Sequence, residues 1–262
     1  MTERPLILVT NDDGIHADGL WHLAEALQEY GDVMIVAPAF NQSGMSAAFT
    51  LHRDLEAEPA HSRLPDVPAW QVSGTPTDAV VHGLRNFAPR RVKMIVSGVN
   101  PGPNVGREIL HSGTVMSAMQ GYLRRLPSVA VSLASFEELH LGDAAVIGAR
   151  IAGQLLHSGE LRFLNVNCPD LPLAEINGVR VAAMADLAVS RVLDIVDGHG
   201  AVRRKLEWRL DADIPTGSDV AAIIDGAVAV TPLDNDLTNY AALGATSDLL
   251  DGLSTRIEPA KC

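Results

Sequence analysis

The sequence predicts an α/β protein, a mostly parallel sheet with helices over both faces, three layers in all. Two observations carry that expectation. Short apolar, β-branched runs alternate with amphipathic helical patterns through the first two-thirds of the 262 residues. Those runs also lack the in–out alternation of a half-solvated strand, as strands buried on both faces do. Composition agrees, since 47% of residues are hydrophobic but only 4% aromatic, so aliphatic side chains supply the core.

Residues 5–10 (PLILVT) read as the first buried strand and 18–30 as an amphipathic helix. Residues 33–37 are a second buried strand, closed by Pro38. A polar stretch rich in His, Pro and Asp follows, then a short strand at 70–72 and a helix at 77–84. The strand 93–97 runs into a Gly- and Asn-rich loop at 98–106. A helix at 112–126, a strand at 128–134, a helix at 142–157 and a strand at 162–166 continue the alternation.

The pattern then changes. Segments 179–183 and 203–210 have alternating or charged faces, and DGHG at 197–200 reads as a hairpin turn. An extension over about 179–210 is expected to project from the main domain and contact another subunit. A helix near 218–225 leads into a strand at 227–231. No internal repeat or low-complexity linker divides the chain, so 1–262 reads as a single domain.

With 32 acidic and 20 basic side chains, the formal charge is −12. Such a surface repels a phosphate backbone and argues against a nucleic-acid polymer as partner. A small phosphorylated substrate stays compatible, because a bound divalent cation reverses the local field. Cys168 and Cys262 lack metal-ligand spacing and read as reduced thiols. The amino-terminal apolar run is too short for a signal peptide, and no run approaches membrane-spanning length. A cytoplasmic location without a membrane partner is therefore expected.

Four polar clusters fall after strands or at a helix start, where the crevice of an open parallel sheet lies. They are Asn11-Asp12-Asp13-Gly14, Asn41-Gln42-Ser43-Gly44, the run from Ser97 through Asn100 and Asn104 to Gly106, and Ser112-Gly113-Thr114. Adjacent carboxylates repel unless a cation or proton sits between them. Oxygen donors from Asp, Ser and Asn suit a hard ion such as magnesium or manganese. Taken alone, Asp13-Gly14 is as readily a turn, with Asp12 or Asp18 capping the next helix. Convergence of the other clusters on the same sheet edge favours the metal. Ser112-Gly113-Thr114 offers hydroxyls and free amides, an anion cradle that alone would be an ordinary cap. His16 and His111 lie beside these clusters, whereas Trp21, Trp70 and Trp208 read as core or interface anchors.

In order along the chain, LVTNDDGIHADGL, VAPAFNQSGMSAAFTL, VSGTPTDAV, IVSGVNPGPNVG, HSGTVMSAMQG and DGAVAVTPLDNDLT resemble the SurE family, the survival-protein-E nucleotidases, from residue 6 to about 238. The resemblance implies a Rossmann-like domain with a hairpin extension, and homodimers or homotetramers built partly by exchanged carboxyl-terminal segments. It implies a phosphomonoesterase with one divalent metal ion per subunit. Substrates would be nucleoside 5′-monophosphates, with tolerance for 3′-monophosphates and short polyphosphate. The family's metal ligands fall on Asp12, Asp13, Ser43 and Asn100, the two aspartates also being catalytic. Asn11, Gly44, Asn104, Ser112, Gly113 and Thr114 are the expected substrate contacts. The phosphate is expected between the metal and the helix opened by Ser112, held by helix amides and the Thr114 hydroxyl and hydrolysed directly. The chain departs from the family pattern at Gln42, Arg107, Glu108 and His111, which bears on substrate preference and phosphate affinity.

Other readings fit less well. A haloacid-dehalogenase-type phosphatase needs Asp-x-Asp spacing, but these aspartates are adjacent. A phosphoacceptor receiver domain is far shorter, and dinucleotide binding needs GxGxxG after the first strand. A non-catalytic metal- and nucleotide-binding protein with a regulatory role is the alternative from another class. The complete set Asp12, Asp13, Ser43 and Asn100 argues against it.

Overall fold

The computed structural model describes residues 3–137, 140–186, 190–196, 202–208 and 213–251. Its strands are β1 (Leu6–Thr10), β2 (Asp32–Pro38), β3 (Ala57–Pro59), β4 (Ala69–Val72), β5 (Val92–Pro101), β6 (Ser128–Leu133), β7 (Phe163–Cys168), β8 (Val179–Val181), β9 (Ser190–Val196), β10 (Val202–Trp208) and β11 (Val228–Leu233). Nine of them form one sheet in the order β3-β4-β2-β1-β5-β6-β7-β11-β8. Pairing is parallel from β4 through β7, antiparallel where β3 meets β4 and β11 meets β7, and parallel again between β11 and β8. This is the expected α/β class.

Helices α1 (Asp18–Leu27), α2 (Pro76–His82), α3 (Gly113–Tyr122), α4 (Leu141–Ser158), α5 (Asp219–Ile224) and α6 (Leu243–Leu249) complete the fold. The first strand shows why both sheet faces must be covered. Ile7 and Val9 pack in the cluster that holds Leu23 of α1 and Ala145 of α4, while Leu6 and Leu8 pack with Val80 of α2. Four consecutive buried residues therefore serve two cores. Farther along, Val115 of α3 packs with Ala130 and Phe163 of β6 and β7.

Local chemistry fixes the helix ends. Thr75 and Asp78 form a reciprocal capping box at α2, with Pro76 in the first turn. Gly159 ends α4 in the left-handed region, at φ 69°. One close approach requires glycine inside a helix. A Cβ on Gly19 would lie 2.2 Å from the Val99 carbonyl oxygen, so only glycine lets α1 sit this close to β5.

The sheet also departs from the expected pattern. Segment 179–183 was expected in the projecting extension, but Val179–Val181 is an edge strand of the main sheet, paired with Val228–Val230. Its backbone groups find partners on the free edge of β11, and a three-residue edge strand can be exposed and bear Arg180. The separate antiparallel ribbon is β9 with β10, Ser190 opposite Trp208 and Val196 opposite Val202. The expected DGHG turn at 197–200 lies outside the described residues, as do the last residues of the carboxyl-terminal segment, 252–262. Strand β5 runs on to Pro101, into the expected loop, and a π-helical turn at Gly83–Phe87 follows α2. Among the described residues no helix is long and apolar enough to cross a membrane.

Candidate active site

β1 ends at Thr10 and the chain turns at once. Buried Asn11 closes that turn, its Nδ2 donating to the Gly14 carbonyl at 3.0 Å and its Oδ1 accepting from the Gly14 N–H at 3.2 Å. Asn11, expected as a substrate contact, therefore braces the turn, and it does not line the cleft. The next loop is stitched to it. Gln42 N–H donates to the Asp12 carbonyl at 2.7 Å, and Asn41 Nδ2 donates to Asp13 Oδ1 at 3.2 Å. Ser46 then ties the same loop to the 3-10 turn Gly106–His111, through its N–H on the His111 carbonyl and its hydroxyl on the Leu110 carbonyl at 2.6 Å.

Asp12 is only 3% exposed. Burial pushes its carboxyl above the usual range, and hydrogen bonds from the Thr114 hydroxyl and the Thr114 and Gly113 amides oppose that shift in part. A Cβ on Gly113 would lie 2.7 Å from the Asp12 Cβ, so glycine is needed where α3 begins. The expected anion cradle thus differs in one respect. The amino-terminal amides of α3 and the Thr114 hydroxyl hold Asp12, the nearest carboxylate, instead of standing free for a phosphate. Ser112 caps the helix by accepting from Val115 N–H at 3.1 Å.

Asn100 reaches the site through an irregularity in β5. Ser97 pairs with Ala130 and Asn100 with Ser132, so β5 carries one extra residue there, in the manner of a bulge. Asn100 Nδ2 donates to the Gly102 carbonyl at 2.7 Å, so Oδ1 is the side-chain atom that could ligate a cation. Asn104 is locked in place. Its N–H donates to Asn167 Oδ1 at 2.8 Å, its Nδ2 to Ser132 Oγ at 2.8 Å, and its carbonyl accepts from Asn165 and Asn167. Gly106 N–H donates to fully buried Asp219, whose other oxygen accepts from the Ala185 and Val220 amides.

These connections form a cleft of about 430 Å³ lined by Asp12, Asp13, Ser43 and Asn100, together with Gly44, Asn104 and Ser112. Buried Thr114 and Asn11 do not line it. Glu108, His111 and Phe136 do, and so does Asn41. Phe136 was not anticipated, although it follows the carboxyl end of a strand, where ligands of such sheets bind. Exposed His16 lies outside the cleft, and Arg107 pairs with Asp186 instead of facing it. Among the described residues no three His, Cys, Asp or Glu side chains gather to hold a metal. The donor set here is two carboxylates with a hydroxyl and an amide oxygen, an all-oxygen set that suits a hard cation retaining some of its water.

The family model for the survival protein SurE matches residues 7–191. A 5′-nucleotidase SurE of Dehalococcoides mccartyi is 38% identical, over 88% of this chain and 89% of the relative. A 5′/3′-nucleotidase SurE of Salmonella arizonae is 40% identical, over 94% and 97%. The crystal structure of the SurE protein from Aquifex aeolicus superposes with a TM-score of 0.82 at 33% identity, covering 94% of this chain and 100% of that one. With the family model and both relatives spanning most of its length, the chain belongs to the SurE family.

Proposed function

We propose that this chain is a divalent-metal-dependent phosphomonoesterase that hydrolyses nucleoside 5′-monophosphates, with 3′-monophosphates and short polyphosphate as further substrates. The observation that carries the reading is the convergence of Asp12, Asp13, Ser43 and Asn100 on one cleft at the carboxyl edge of the sheet. Relatives named 5′-nucleotidase and 5′/3′-nucleotidase support the substrate class. One magnesium or manganese ion per subunit, held by those four side chains, would polarise the phosphoryl group and neutralise its charge.

The remaining work falls to this chain's own groups. Thr114 and the first amides of α3 fix the Asp12 carboxylate, so its position is set before substrate arrives. The Gly44 amide, the Ser112 hydroxyl and His111 border the cleft and supply donors for phosphoryl oxygens. Asp12 positions the attacking water, and no side chain is phosphorylated. The reading extends to a homodimer or homotetramer, and to a cytoplasmic location.

Purified protein with added manganese should release phosphate from nucleoside monophosphates, and Asp13→Asn should lose at least about a hundredfold in turnover. With a chiral thiophosphate in labelled water, direct attack inverts configuration at phosphorus. Retention, or a trapped phosphorylated side chain, overturns the direct mechanism. No release from any phosphate ester would leave a metal- and nucleotide-binding protein.

A further inference from the structure

We infer that Phe136 is the nucleobase platform of this cleft, so that the chain favours phosphates that carry a base over those that do not. The inference rests on the phosphomonoesterase reading above. Phe136 follows β6, and the backbone around it is pinned. Ser135 N–H donates to the Leu133 carbonyl at 2.8 Å, and Glu137 N–H donates to Ser135 Oγ at 3.1 Å. The ring rests against Gly102, where an added Cβ would lie 2.6 Å from the ring's Cε1. Gly102 is itself fixed, its N–H donating to the Leu133 carbonyl at 2.9 Å and its φ standing at +112°. Two strand ends therefore meet under one aromatic ring.

That ring lines the same cleft as the metal-ligand set, and 63% of the residue is open to solvent. Among the described residues it is the cleft's one benzenoid ring, in a chain with 5 phenylalanines. Pro101 and Pro103 continue the apolar wall beside it. Reach is short as well. Asn100 precedes Gly102 by two residues, at most about 7 Å of backbone, so one small ligand can touch both the metal-ligand set and the ring. Every nucleobase has a π face, and stacking on a fixed ring is tolerant of base identity. Phe136 thus selects for a base without selecting which one.

The test compares adenosine 5′-monophosphate with ribose 5-phosphate, which has the same phosphate but no base. In Phe136→Ala the ratio of the two kcat/KM values should fall about tenfold, mainly through KM for the nucleotide. Phe136→Trp should restore the ratio, and Phe136→Leu, apolar but without a π face, should not. An unchanged ratio, or rescue by leucine, overturns the inference. So does loss of assembly in Phe136→Ala with the ratio preserved, which would make the ring a subunit contact. If the unsubstituted protein hydrolyses neither ester, the function reading fails separately. Calorimetric binding of adenosine then decides alone, with Phe136→Ala expected to weaken it about tenfold and equal affinity counting against the platform.

Discussion

Asp12 concentrates the conflict between folding and chemistry in one side chain. Burial at 3% exposure disfavours its charged form, and the donors from α3 return only part of that cost. Because its folded pKa is raised, its contribution to stability is fully present below the unfolded value and is lost as pH rises through the folded one. Above the unfolded pKa and without metal, keeping this carboxyl buried therefore costs stability. In chelator at pH 7, Asp12→Asn should therefore melt higher than the parent protein, while with manganese it loses turnover. A lower midpoint for the chelated variant would contradict this account. At this scale the sequence revealed the oxygen donors but not their partners. Thr114 looks free to hold a phosphate until the fold brings it to Asp12, 102 residues away along the chain. Asn11 likewise spends both amide atoms on Gly14.

Elements were legible where burial on both faces wrote a continuous apolar run, as in β1, β2 and β6, or where capping chemistry marked an end. They were not legible where tertiary pairing decides. Three-residue β3 is exposed along its length and is a strand only because β4 lies beside it. Val179–Val181 reads like part of an extension until the free edge of β11 claims it. The extra residue in β5 has no local signature, yet it sets where Asn100 points. Asp219 holds a comparable position in α5, joining the Gly106 loop to the Ala185 segment. Asp219→Ala leaves buried amides without an acceptor and should lower unfolding free energy by about 2–4 kcal/mol. Asp219→Asn keeps one acceptor oxygen and should cost less. Urea unfolding of the two variants checks the order, and an alanine variant within about 0.5 kcal/mol of the parent would remove the tie from the account.

The whole molecule presents apolar surface that a lone chain has little reason to keep. A groove of about 430 Å³ runs between the Gly106–His111 turn, α3 and β11, lined by Leu110, Met116, Met184, Leu233 and Leu237. Leu237 is 83% exposed at its rim. Surface of this kind supports the proposed assembly into dimers or tetramers. Sedimentation at micromolar concentration should show an oligomer, and Leu237→Asp should shift it toward the monomer. A monomeric parent protein would refute assembly. Family membership was legible here because several ordered motifs cover most of the chain, whereas partner contacts need a surface that no single motif contains.

The tight seat of α1 on β5 has one more consequence. Gly19 does not line the candidate active-site cleft, yet its missing side chain lets the helix press against Val99, next to Asn100. The helix is a backstop for the strand that carries Asn100 to the carboxyl edge of the sheet. Any thicker residue at position 19 would force either α1 or the strand beside Asn100 to shift.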